Sequence, residues 1–213
     1  MGAVYGGNRV RVFALVLICM FLNVSVTLAG PSLKGDELNS STMFDLSIMG
    51  PPLAMKEQCV QHLLRNNPFP AITVTPEELV AFFYNEAIDE GIRPDIVFAQ
   101  ALLETGYFKF GGDVVPLQNN YCGLGTTGNG RGGAWFFTAQ IGVRAQVQHL
   151  LGYSSTMPPK KEIVDPRYTL VKHSKNFGTV KTWTELNGKW AVPGINYGQK
   201  ILKIHEKIML EGI

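Results

Sequence analysis

Apolar residues recur at helical spacing through most of the chain beyond residue 50, and proline, glycine and asparagine mark the breaks. The pattern predicts a first helix over about Ala54–Leu64, stopped before Asn66-Asn67-Pro68. The next start is sharper. Thr75 suits the N-cap, Pro76 the first helical position, and Glu78 the third, a capping box. Leu79, Val80, Phe82, Phe83 and Ala87 then share one face, and Asp89-Glu90-Gly91 closes the helix. Pro94 opens a further helix, Asp95 to about Thr105. Its run from Ile96 to Leu103 is apolar nearly all round, which predicts burial on most sides. Another helix is expected over Ala139–Tyr153, before Pro158-Pro159. Asp165-Pro166 and Thr182–Glu185 read as caps of two short helices. A last helix is expected over Tyr197–Leu210, with Ile201, Ile204, His205 and Ile208 on one face.

Residues 106–137 break this pattern. They hold nine glycines and end in Trp135-Phe136-Phe137. Such a stretch predicts a glycine-rich excursion with a short β-hairpin. The fold class is therefore mostly α (α+β), a helical domain with one small irregular lobe.

The first residues follow different rules. Arg9 and Arg11 precede an apolar run from Val12 to Leu28, and Thr27-Leu28-Ala29 supplies small residues for cleavage. Residues 1–29 read as a secretory signal peptide. An uncleaved membrane anchor is the alternative, which Asn23, Ser25 and Thr27 weaken. Residues 30–45 are polar and aperiodic, a linker, and the globular domain is expected over 46–213.

Composition narrows the function. The 213 residues carry formal net charge +2, and without Arg9 and Arg11 the basic and acidic residues balance. A neutral domain excludes a strong nucleic-acid or anionic-membrane footprint. Cys59 and Cys122 are too few for a disulfide framework. They can pair in an oxidising space, and two free buried thiols is the simpler expectation. The four histidines have no zinc spacing and no Cys-x-x-Cys occurs, so neither a metal nor a cofactor is expected. Gly123–Gly128 contains Gly-x-Gly-x-x-Gly without the flanking strand and helix of a dinucleotide site, and reads as a loop.

Glu104 stands out. It ends the most apolar helix, where desolvation and the helix C-terminus both disfavour its charge. A carboxyl that keeps its proton suits a general acid. The glycine-rich stretch beyond it leaves room for a ligand, with Tyr107, Phe108, Tyr121 and Trp135 available to stack on sugar rings. The alternative is an outward Glu104 meeting Lys109. Gln100 reads as a satisfied core amide or a partner of Glu104, Arg144 as the partner of a core acid, and Trp183 and Trp190 as core or cleft aromatics.

Five ordered blocks carry a resemblance: Phe98–Phe108 (FAQALLETGYF), Gln118–Gly125 (QNNYCGLG), Gly142–Leu150 (GVRAQVQHL), Asp165–Tyr168 (DPRY), and Trp183–Tyr197 with LNGKWAVPG inside it. Across about Ile48 to Ile208 the chain resembles the bacterial endo-β-N-acetylglucosaminidase domain of glycoside hydrolase family 73. The resemblance implies a lysozyme-like fold and cleavage of peptidoglycan glycan strands after N-acetylglucosamine. It places the general acid on Glu104, the active-site tyrosine on Tyr197, and cleft residues on Asn119, Asn120 and Tyr121. It also implies a bacterial protein of the cell envelope. Many members carry a second acid on the hairpin, yet Val114 to Lys161 contains no Asp or Glu. The nearest acids are Asp113, Asp165 and Glu185; the last two read better as helix caps, and Asp113 is the candidate partner. Without one, the substrate's 2-acetamido oxygen takes that role, with Tyr197 orienting it or the water. A lytic transglycosylase, a muramidase and a non-catalytic wall-binding module are the alternatives on this fold.

Overall fold

The computed structural model describes residues 45–126 and 132–212. The expected export segment and nearly all of the linker lie outside them. Six α-helices organise the described residues: α1 (Lys56–Asn66), α2 (Pro76–Glu90), α3 (Pro94–Thr105), α4 (Ala139–Ser154), α5 (Tyr168–Lys172) and α6 (Tyr197–Met209). Single 3-10 turns stand at Pro116–Gln118 and Thr184–Leu186. The fold is mostly helical, as expected. Among the described residues, no helix is long and apolar enough to cross a membrane.

The local signals act as their chemistry requires. Thr75 Oγ1 accepts from the Glu78 amide at 3.2 Å, and Glu78 returns the bond to the Thr75 amide at 2.9 Å. This reciprocal pair satisfies two end donors of α2. Gly91, at φ 77°, ends the helix in the left-handed conformation that glycine adopts without strain. Helix α1 begins at Lys56, two residues later than the periodicity predicts.

Helix α3 is the axis of the core. Ile96, Val97, Phe98, Ala99, Ala101 and Leu102 are fully buried. It packs against α1, α2 and α6, while α4 lies along α2. Phe98 and Phe83 meet edge-on with centroids 5.4 Å apart, a favoured aromatic geometry. The charges inside are partnered. Buried Glu86 on α2 takes Arg144 of α4 at 2.9 Å and Lys161 at 3.1 Å, so Arg144 does pair with a core acid. Asp95 accepts from the Leu53 and Ala54 amides and faces His205 Nε2, each at 2.8 Å. These contacts tie the start of α3 to α6 and to the chain before α1.

The irregular lobe departs from expectation. Its described residues contain no paired strand, so no hairpin ladder forms there. Its two arms share the backbone bonds Ala134 N–H to Leu124 O (2.7 Å) and Phe136 N–H to Gln118 O (2.9 Å). Side-chain amides do the rest. Gln118 donates to Gly133 O (3.0 Å), Asn119 to Phe136 O (3.1 Å) and Asn120 to Leu124 O (2.9 Å). Glycine-rich backbone has little strand preference, and three consecutive amides supply the satisfaction a ladder would give. Gly142 brings α4 onto this lobe, since a Cβ there would stand 1.8 Å from Asn119 O.

Candidate active site

Glu104 is the penultimate residue of α3. Gly106 caps the helix at φ 59°, and the chain leaves through Tyr107, Phe108 and Phe110, all at positive φ. Non-glycine residues there cost roughly 1–2 kcal/mol each. Three contacts hold the turn. Asn67 Nδ2 donates to Tyr107 O (2.8 Å), Ala71 N–H to Phe108 O (2.9 Å), and the Phe108 amide donates to Thr105 Oγ1 (2.9 Å). Phe108 itself is fully buried against Phe98 and Tyr121. The strained turn lets the chain double back and leaves Glu104 on a concave wall.

Glu104 is open to solvent by surface area, yet protein atoms crowd its carboxyl, as happens on the wall of a cleft. That crowding raises its pKa above the ordinary glutamate range. Hydrogen bonds from Tyr197 and Trp190 pull it only partly back. Both donors land on one oxygen: Tyr197 O–H and Trp190 Nε1–H (3.1 Å) donate to Oε1. Oε2 has no partner among the described residues, so it is the atom that carries the proton of the neutral acid. The outward alternative is not adopted. No ion pair joins Glu104 to Lys109 among the described residues.

The polarity of this arrangement is set deep in the core. Gln146 Nε2 lies 3.3 Å from Val97 O and 2.9 Å from Gln100 Oε1. A backbone carbonyl only accepts, so the Gln146 amide must point its NH2 that way. Gln100 therefore turns its oxygen to Gln146 and its NH2 to the Tyr197 hydroxyl, at 2.9 Å. The hydroxyl, already accepting, donates onward to Glu104. Gln100 and Gln146 are fully buried, and the chain Gln146→Gln100→Tyr197→Glu104 runs in one direction. Tyr197 itself sits at the start of α6, where Gly198 lets the helix approach Trp183 closely; a Cβ there would stand 2.1 Å from Trp183 O.

Two cavities meet at Glu104. The smaller, about 250 Å³, runs along Phe110, Asp113, Val114 and Asn120. The larger, about 400 Å³, runs along Cys122, His149, Tyr153, Arg167, Lys189 and Trp190. Glu104, Gly123 and Thr126 line both. Trp190 crosses His149 edge-on at 4.9 Å, and His149 Nδ1 is fixed by Asp165 Oδ2 at 2.8 Å. Asp165 also receives the Arg167 amide at 2.8 Å, but it does not cap α5 as expected: Arg167 holds the N-cap position and no side chain caps that helix. Among the described residues, no group of three or more His, Cys, Asp or Glu side chains is placed to hold a metal ion.

The structure thus gathers Glu104, Tyr197, Asn120 and Asp113 at one place and sends others elsewhere. Phe108 and Tyr121 offer no face to a ligand. Both are core residues, and expecting them to stack on sugar is corrected by their burial. Asn119 is buried and stitches the lobe, accepting from Thr73 at 2.6 Å. Trp135 is 67 % exposed but lines neither cavity. Trp183 is fully buried, whereas Trp190 belongs to the cleft. The Tyr197 hydroxyl is engaged by Gln100 and Glu104, which suits orienting the acid more directly than orienting water. Cys59 and Cys122 are both buried and unpaired. Sequence reasoning missed His149, Tyr153, Arg167 and Lys189 as cleft residues. Their only signal was membership of the matching blocks or adjacency to them.

The chain belongs to the glucosaminidase family, described as mannosyl-glycoprotein endo-beta-N-acetylglucosaminidase, whose pattern matches residues 80–210, more than half of the chain. An "uncharacterized protein" of Borreliella burgdorferi is 40% identical over 122 residues, 57% of this chain and 57% of the relative. The chain therefore spans little more than half the length of that relative. No solved structure gives a significant match.

Proposed function

We propose that the protein is an exported peptidoglycan hydrolase, an endo-β-N-acetylglucosaminidase that cuts the β-1,4 bond after N-acetylglucosamine. Its place of action is the bacterial cell envelope. The observation that carries this reading is one carboxyl at the junction of two cavities, with Oε1 taken by two donors and Oε2 open. Oε2–H gives its proton to the glycosidic oxygen as the bond to C1 breaks. The leaving sugar departs as an alcohol and Glu104 becomes a carboxylate. The two donors on Oε1 then stabilise the charge that has formed. Water adds to C1 and returns a proton to Glu104.

The positive charge at C1 needs a second group. Asp113 is the one other acid lining either cavity among the described residues, and it is exposed. That scarcity favours the substrate's own 2-acetamido oxygen closing onto C1. Export rests on the N-terminal pattern of basic, apolar and small residues. N-terminal sequencing of protein from the culture medium tests it, with a start near Gly30 expected.

Digestion of purified peptidoglycan, with mass spectrometry of the fragment ends, tests the reaction. Reducing N-acetylglucosamine supports the proposal. Reducing N-acetylmuramic acid would make the protein a muramidase, and 1,6-anhydro ends a lytic transglycosylase. Binding without turnover would make it a wall-binding module. Asp113→Asn and Tyr197→Phe separate the candidates for the second group. Substrate assistance predicts that Asp113→Asn keeps most of the rate, and collapse with Asp113→Asn would overturn it.

A further inference from the structure

The two cavities that meet at Glu104 differ in charge. The smaller adds Asp113 to Glu104 and has no cation on its described walls. The larger adds Arg167 and Lys189 and has no acid besides Glu104. Both cationic residues are half-buried. Of the other half-buried cations among the described residues, Arg144 pairs with Glu86 and Lys161 with Glu86 and Asp89, and Arg93 is held by the Ser47 and Pro51 carbonyls. Arg167 and Lys189 have no carboxylate within ion-pair distance among the described residues. Asp165 does not neutralise Arg167, because its oxygens are taken by His149 and by the Arg167 backbone amide. Arg167 and Tyr153 line the same cavity; burial raises the Tyr153 pKa, the Arg167 charge pulls it partly back and the Asp165 charge pushes it up. The Tyr153 hydroxyl in turn donates to Lys189 O at 3.1 Å and joins the two segments.

A half-enclosed pair of cations without partners is built to receive an anion. The strand alternates a neutral N-acetylglucosamine with a muramyl unit whose 3-O-lactyl group carries a carboxylate, free or through its peptide. We propose that Arg167 and Lys189 form a carboxylate subsite for the muramyl unit and so select which of the two alternating bonds faces Glu104. This rests on the reading given under Proposed function. With the muramyl unit in the larger cavity, the neutral sugar fills the smaller one beside Asp113. A shift by one sugar would set the carboxylate against Asp113 and leave both cations unpaired, an arrangement that charge complementarity disfavours.

Three substrates test the subsite: peptide-bearing glycan, glycan stripped of its peptides, and stripped glycan with its lactyl carboxylates amidated. Each is digested by the wild type, Arg167→Gln, Lys189→Gln and the conservative Arg167→Lys. The subsite predicts a KM increase of about tenfold for each glutamine variant on carboxylate-bearing glycan, with kcat little changed. It predicts a similar increase for the wild type on amidated glycan, which the glutamine variants do not feel. Arg167→Lys should recover part of the loss. If only the stripped glycan responds, the free lactyl carboxylate is the ligand; if only the peptide-bearing one responds, it is a carboxylate of the stem; if both respond and the amidated one does not, the subsite takes either. Equal losses on all three substrates, or none, would overturn the subsite. A wild type that releases no reducing N-acetylglucosamine from any of them overturns the proposed function instead, so the two failures are distinct.

Discussion

The two walls that meet at Glu104 are built on different principles. One is helical: α3 carries the acid, α6 carries Tyr197, and buried glutamines on α3 and α4 decide which way the hydroxyl points. The other is loop, held by side-chain amides and a left-handed turn in place of a ladder. The helical wall sets the state and direction of a proton. The loop wall sets the shape of the space beside it. Under the proposed function, the proton transfer stands on the helical side and the glycines border the space a glycan would fill.

Changes to the two walls should therefore fail differently. On the helical side, Glu104→Gln should lower glycan turnover by roughly 10²–10⁴-fold, measured as reducing ends released. The same substitution should not destabilise the fold. Because burial lifts its folded pKa above the unfolded value, Glu104 favours folding below the unfolded pKa. That contribution is lost as pH rises through the folded pKa. Thermal melts should show Glu104→Gln at or above the wild-type Tm near neutral pH, with the gap closing in acid.

On the loop side, Gly142→Ala should cost stability by about 1–3 kcal/mol or more in denaturant titrations, because its Cβ collides with the Asn119 carbonyl. Gly106→Ala is the finer contrast. It has free space but a positive φ, and should cost only about 1 kcal/mol. If the two cost the same, the close packing of α4 on the lobe is not what fixes that wall.

The smallest effect tests the relay. Gln100→Glu keeps the shape of the side chain but changes its polarity with pH. Protonated, it can still donate to Tyr197; ionised, it accepts from Tyr197 and turns the hydroxyl from Glu104. Its activity should match the wild type most closely in acid and fall by about tenfold beyond its own ionisation. A pH–rate profile parallel to the wild type would remove the relay's role. Tyr197→Phe removes a bond that lowers the Glu104 pKa, so the alkaline limb should move up as the rate falls.

Much of the helical wall was legible in the sequence because its causes are local. The Thr75 capping box, the all-round apolar run of α3 and the acid at its end all declare themselves within a few residues. The direction of the relay did not, because it depends on Val97 O meeting Gln146 across 49 positions. The loop wall was legible only as glycine-rich. Tyr121 and Phe108 looked like sugar-stacking faces, but the left-handed turn at 106–108 swings Phe108 into the core, where Tyr121 meets it edge-on. Trp190 ran the other way. Core packing is the common fate of tryptophan, yet its indole N–H reaches Glu104.

The central claim is that Glu104 holds its proton at pH values where ordinary glutamates have lost theirs. A carbon-13 NMR titration of the Glu104 carboxyl in the free wild-type protein, assigned by its disappearance in Glu104→Gln, measures this directly. The account predicts a midpoint above the ordinary glutamate range. A midpoint within or below that range would contradict it.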